Sequence, residues 1–173
     1  MNDFFPTMSD STEQKFRAAV RTHLAELEAP LTDVLRKLVA HAYPPEVFAL
    51  SFEVFSDSFT DGFPARAFFM DRDNCEHFVR RDGKAAYPAP VDPGLLEIER
   101  VYPEELEEQV EEEAPEIDTW EIAGAEFIAW FSACWDRAGG AGFALCATIA
   151  RHDSGTEFNL RSKAWQDSGA LFE

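Results

Sequence analysis

The stretch FALCATIARHDSGTEFNLRSKA, residues 143–164, decides the fold class. From Phe143 to Ala150 both alternating faces are largely apolar. Phe143, Leu145, Ala147 and Ile149 share one face; Ala144, Cys146, Thr148 and Ala150 share the other. Such a run reads as a strand covered on both sides. His152-Asp153-Ser154-Gly155 is turn chemistry. Thr156 to Ala164 alternates again, with Phe158 and Leu160 inward and Glu157, Asn159, Arg161 and Lys163 outward. This predicts one further strand, whose outward Lys and Arg suit a sheet edge. Strands joined by so short a turn cannot be parallel.

Working outward, Val47 to Phe55 repeats the period of two. Phe48, Leu50, Phe52 and Val54 lie on one face, Ala49, Ser51 and Glu53 on the other. Asp61-Gly62 marks a turn, and Ala65 to Met70 reads as the returning strand. Leu95 to Tyr102 alternates well enough for a third short strand, and Arg72 to Arg81 for a short helix. Asp82-Gly83, Pro88-Ala89-Pro90 and Pro93-Gly94 punctuate the region between them.

Helical periods flank these strands. Phe16, Val20, Leu24 and Leu27, then Leu31, Val34, Leu35 and Leu38, predict two helices or one kinked at Pro30. Ser11 and Gln14 form a possible capping box. Residues 1–10 read as a loose arm on which Phe4 and Phe5 dock, and 166–173 as a tail. Between Trp120 and Arg137 the apolar arc is wide enough for a central, mostly buried helix, capped by Thr119 and stopped at Gly139-Gly140. The expected architecture is α+β: an antiparallel sheet of four to five strands with helices packed mainly on one face, in a single domain over 11–165.

Charge supplies the second argument. The chain has 33 acids and 15 bases in 173 residues, a net charge of −18. Twelve of those acids, and no Lys, Arg or His, lie between Val101 and Asp136. Within residues 103–118 the pattern predicts an acidic helix whose Tyr102, Leu106 and Val110 form its apolar stripe. Glu104–Glu108, Glu107–Glu111 and Glu108–Glu112 place like charges one turn apart, each pair unfavourable by about 0.2–0.5 kcal/mol. A basic protein partner would relieve that repulsion, so Glu104, Glu107, Glu108, Glu111 and Glu112 are the candidate partner-binding residues; Arg80, Arg81 and Lys84 are candidate internal counter-charges. The acidity argues against nucleic acid and against anionic membrane. The longest apolar runs fall far short of the ~20 residues that span a bilayer.

The chemistry-bearing residues are sparse. Cys75, Cys134 and Cys146 show no paired spacing, which fits reduced thiols in the cytoplasm. Asp71, Asp73 and His77 are the candidate metal ligands, with Asp73 and His77 on one face if that segment is helical. Counting from Asp71, the sixth position is Glu76 where a calcium loop needs Gly. His152, Asp153 and Ser154 carry the residue types of a hydrolytic triad, but neighbours in one turn cannot converge as a triad does. No cofactor motif is present and no catalytic set is assigned. The helix-first layout with strong acidity resembles small bacterial immunity proteins, a likeness of layout and charge that implies a non-enzymatic binding or inhibitor role. The alternative reading is a small enzyme or a ligand- or metal-binding domain with an acidic/His site.

Overall fold

The computed structural model describes residues 8–77, 80–81, 84–85, 87–88 and 94–173. In chain order they form α1 (Met8–Glu26), α2 (Glu28–Ala40), β1 (Ala49–Val54), β2 (Ala65–Met70), β3 (Arg80–Arg81), β4 (Lys84–Ala85), α3 (Glu105–Glu113), α4 (Thr119–Arg137), β5 (Cys146–Arg151), β6 (Thr156–Asn159) and β7 (Ala164–Asp167). The main sheet has five strands in the order β2-β1-β5-β6-β7; β3 and β4 make a separate two-stranded ribbon. The α+β class and the strand number are as expected. Every neighbouring pair in the main sheet is antiparallel except β1 and β5. That parallel pair follows from the chain path: α3 and α4 carry the chain back across the sheet before β5 begins.

Strand register sorts the side chains. Leu50, Phe52 and Val54 of β1 share a face with Ala65, Ala67 and Phe69 of β2 and Ala147 and Ile149 of β5. All of these are buried. Phe131 and Trp135 of α4 lie against Phe52, with ring centroids 4.8 and 5.6 Å away. Helix α4 is the central buried helix, because α1 and α2 pack on its other side. Its cap is Asp118 rather than Thr119: the Asp118 carboxylate accepts from the Glu121 N–H at 2.9 Å. Gly124 fits a close approach, since a Cβ there would lie 2.8 Å from Cδ of Arg151, which crosses α4 to reach Glu121. Trp130 Nε1 is buried with no acceptor among the described residues.

Pro30 sits in the first turn of α2, and the break between α1 and α2 falls at Leu27. Because α1 already runs from Met8, Ser11 lies inside it and caps nothing. The docking of Phe4 and Phe5 lies outside the described residues, as do the Asp82-Gly83 turn, Ala89-Pro90 and Pro93.

Three further expectations are corrected. Thr156–Ala164 is not one strand but β6 and the start of β7, with a hairpin between them. The Asn159 side-chain oxygen accepts from the N–H groups of Arg161 and Ser162, both at 3.0 Å, and Lys163 takes a φ of +58°. An Asx turn and a left-handed residue reverse the chain without any Gly or Pro. Leu95–Tyr102 forms no strand; Leu95 and Val101 instead donate backbone hydrogen bonds to Ala65 and Phe59. Residues 72–77 form no helix. The Asp71 carboxylate accepts from the N–H groups of Asp73 and Cys75, both at 2.9 Å, Asn74 adopts a φ of +57°, and Glu76 returns to pair with Met70. A short acceptor side chain that bonds its own following backbone competes with helix formation.

One ion cluster ties α1 to α4. Glu126 is almost fully buried and receives Arg21 at 2.7 Å and Arg17 at 3.0 Å. Burial alone would push the Glu126 carboxyl up, but hydrogen bonds from Arg21 and Arg17 outweigh it and hold the group below its ordinary value. A lowered carboxyl favours the fold above the unfolded-state value of about 4.3 and ceases to do so as pH falls through the folded-state value. Glu126→Gln is expected to lower stability by about 1 kcal/mol at neutral pH, because the two arginines keep partial access to water. Urea titrations of both proteins should show that difference shrinking in acid; a gap that persists at low pH would assign it to packing.

Candidate functional site

Helix α3 carries the acidic segment. Val110 is buried, Leu106 is half-buried, and the helix packs on α1. Tyr102 donates to Glu107 at 2.7 Å and Trp120 Nε1 donates to its other oxygen at 3.3 Å. Burial, followed by the Glu107 bond, raises the Tyr102 phenol far above its usual range, so it stays a neutral donor. Glu107 is therefore engaged inside the protein. Glu113 accepts from Gln109 at 2.8 Å and from Thr12 at 3.4 Å. By contrast Glu104, Glu105, Glu108, Glu111 and Glu112 are exposed, and their carboxylates make no hydrogen bond or ion pair among the described residues. No basic residue occupies the last turn of α3. The expectation that Arg80, Arg81 and Lys84 balance the segment concerns side chains outside the described residues.

The candidate metal ligands are not gathered. Asp71 spends one oxygen on the two N–H groups of its own turn, and Asp73 is exposed at the turn's tip. His77 leaves the turn with its backbone N–H on the Phe69 carbonyl at 2.6 Å. Among the described residues no three His, Cys, Asp or Glu side chains are grouped to hold one metal ion. Cys134 is buried, and that burial raises its thiol to about 11; Cys146 is half-buried and Cys75 exposed.

The opposite face of the sheet presents a cleft that no single sequence motif announced. The register puts Ser51 and Glu53 of β1 beside Phe68 of β2, Thr148 and Ala150 of β5, and Glu157 of β6. Asn74 and Glu76 form one wall, the His152–Ser154 turn another, and Gly169 and Phe172 close over the end. The space measures about 430 Å³, within the ~300–1,000 Å³ of small-ligand sites. His152 Nδ1 lies 2.7 Å from Glu53, and its ring stacks on Phe55 at 4.5 Å. Burial, and then the charge of Glu53, raise the Glu76 carboxyl. Ser154 Oγ accepts from the Thr156 N–H at 3.2 Å, which braces the turn.

Helix α3 and the cleft lie on opposite sides of the sheet, since α3 packs on α1, α1 on α4, and α4 on the Phe52 face. Two acidic regions thus exist where the charge pattern showed one. Glu157, expected to face solvent, is buried. The signal available for the cleft was Thr148, a hydroxyl inside an otherwise apolar run. No protein-family model, no curated protein and no solved structure matches the chain.

Proposed function

We propose that the protein is a non-enzymatic binding module, of an inhibitor or immunity-like kind, that presents the exposed face of α3 to a basic partner protein. The observation that supports this is the set of five exposed carboxylates, Glu104, Glu105, Glu108, Glu111 and Glu112, none of which has a counter-ion among the described residues. An unbalanced charged face raises association rates with an oppositely charged partner and discourages acidic ones.

The test replaces these five residues by Gln and leaves Glu107 in place, because Tyr102 and Trp120 depend on it. The wild type should capture a basic polypeptide from host extract at low salt, and the variant should lose it. The variant should also melt higher, since the repulsions between Glu104 and Glu108 and between Glu108 and Glu112 disappear, about 0.2–0.5 kcal/mol each. Capture that survives the substitutions, or captured material with no basic component, would sink the reading.

A second reading, a ligand-binding or catalytic domain with an acidic/His site, is favoured by the Glu53–His152 pair at the cleft. Glu53 orients the imidazole through Nδ1. The metal-dependent form of this reading rests on Asp71, Asp73 and His77. A divalent-ion stabilisation abolished by Asp73→Ala would support it, and indifference to such ions would remove it.

A further inference from the structure

We infer that the cleft on the open face of the sheet binds an organic cation, a guanidinium or alkylammonium group. Two buried polar groups aimed into it are left short of partners. Thr148 is 1% exposed, and its hydroxyl makes no hydrogen bond among the described residues. Glu157 is 6% exposed; Gln166 donates to one of its oxygens at 2.8 Å, and the other has no hydrogen bond among the described residues. Both residues line the cleft, so a donor that enters it can serve their unpaired oxygens. Protein interiors seldom leave such groups unpaired unless water or a ligand serves them.

The charge of the surroundings selects the sign of the ligand. Glu53, Glu76, Asp153 and Glu157 all line the space. Two bases line it: Arg151 sends its guanidinium to Glu121 at 2.6 Å, and His152 is held by Glu53; Arg66, beside Glu53 in the register, lies over the Phe55 ring at 4.5 Å. An anion would meet uncompensated carboxylates. The carboxylates are dispersed around the cavity rather than grouped as metal ligands. A dispersed set of acceptors matches a cation with several N–H donors pointing in different directions. Phe68, Met70 and Phe172 offer apolar wall for the methylene stem that such a cation carries.

The inference shares with the second reading only the view that the cleft takes a ligand; it needs no catalysis from His152 and nothing from α3. Calorimetric titration of the full-length protein at low salt, with capped arginine amide, spermidine and capped citrulline amide as probes, tests it. The cations should bind saturably, and the uncharged citrulline should not. Glu157→Gln should weaken binding about tenfold or more, the loss of a charge-assisted bond, and Thr148→Val about two- to tenfold. Circular dichroism checks that each variant folds; if Glu157→Gln does not, Thr148→Val and Glu76→Gln decide. Tighter binding of capped arginine identifies a partner's side chain as the source of the cation, and tighter binding of spermidine a free polyamine. Citrulline binding equal to arginine, no binding of either cation, or unchanged affinity in the folded variants would overturn the inference. So would affinity lost in Glu108→Gln/Glu111→Gln, which would move the cation to α3. Failure of capture by α3 leaves these results untouched, so the two proposals fail separately.

Discussion

Phe127→Ala is expected to remove about 3–5 kcal/mol of stability, the cost of deleting a fully buried aromatic side chain and leaving a cavity. Phe127 has no exposed surface. Its ring meets Phe59 at 5.6 Å, Phe63 at 5.5 Å, Trp130 at 5.3 Å and Phe131 at 6.0 Å. These neighbours come from α4 itself and from the segment between β1 and β2, so the ring joins the helix to the loop that begins the returning strand. Edge-to-face contacts add about 0.5–1.5 kcal/mol each beyond area burial. For a domain stable by about 5–15 kcal/mol, the loss is a large fraction of the whole. Urea unfolding should show a lower midpoint with an unchanged slope. Phe127→Leu, which keeps most of the volume, should cost clearly less. If the two variants cost the same, the aromatic cluster is not what positions α4.

The local elements were legible where one physical signal dominated. In β1 and β2 the period of two runs into Asp61-Gly62, and Gly62 does take a φ of +121°. In α4 the wide apolar arc matches a helix with the sheet on one side and two helices on the other. Legibility failed where a pairing partner lay far along the chain. Nothing in the alternation of β1 names β5 as its parallel neighbour; only the crossover through α3 and α4 decides that. It failed again where an uncommon residue made a common turn, as Asn159 and Lys163 do between β6 and β7.

The sites show the same division. The acidic run was visible as charge, but its internal use was not. Glu107, Glu113 and Glu126 each accept from donors that tertiary packing brings to them, Trp120, Thr12 and the pair Arg17 and Arg21. The cleft draws Glu53, Glu76, Thr148, His152 and Glu157 from separate elements. Along the chain each is an isolated residue on the second face of a strand or in a turn. Alternation reveals that a second face exists, and only the sheet order shows which residues meet on it.

Gly140→Ala is expected to destabilise by about 3 kcal/mol, at the upper end of the usual cost of overpacking. Along the chain Gly139-Gly140 looks like a single helix stop, but the two glycines act by different physics. Gly139 supplies the left-handed turn after α4, with a φ of +92°, and a Cβ there would meet only Val39 Cγ1 at 4.0 Å. Gly139→Ala should therefore cost about 1 kcal/mol, from backbone strain alone. A Cβ at Gly140 would overlap Nε1, Cδ1 and Cε2 of the Trp135 indole. That indole is 1% exposed and packs edge-on to Phe143 at 5.3 Å and to Phe52 at 5.6 Å, so it has little room to retreat. The displaced ring would press on Phe52, and through β1 on the centre of the sheet. A double-mutant cycle separates the two mechanisms. In a Trp135→Leu background the Gly140→Ala penalty should shrink, because the clashing indole is gone, whereas the Gly139→Ala penalty should not change. Equal penalties for Gly140→Ala in both backgrounds would show that the ring yields freely and that the second glycine is there for its backbone.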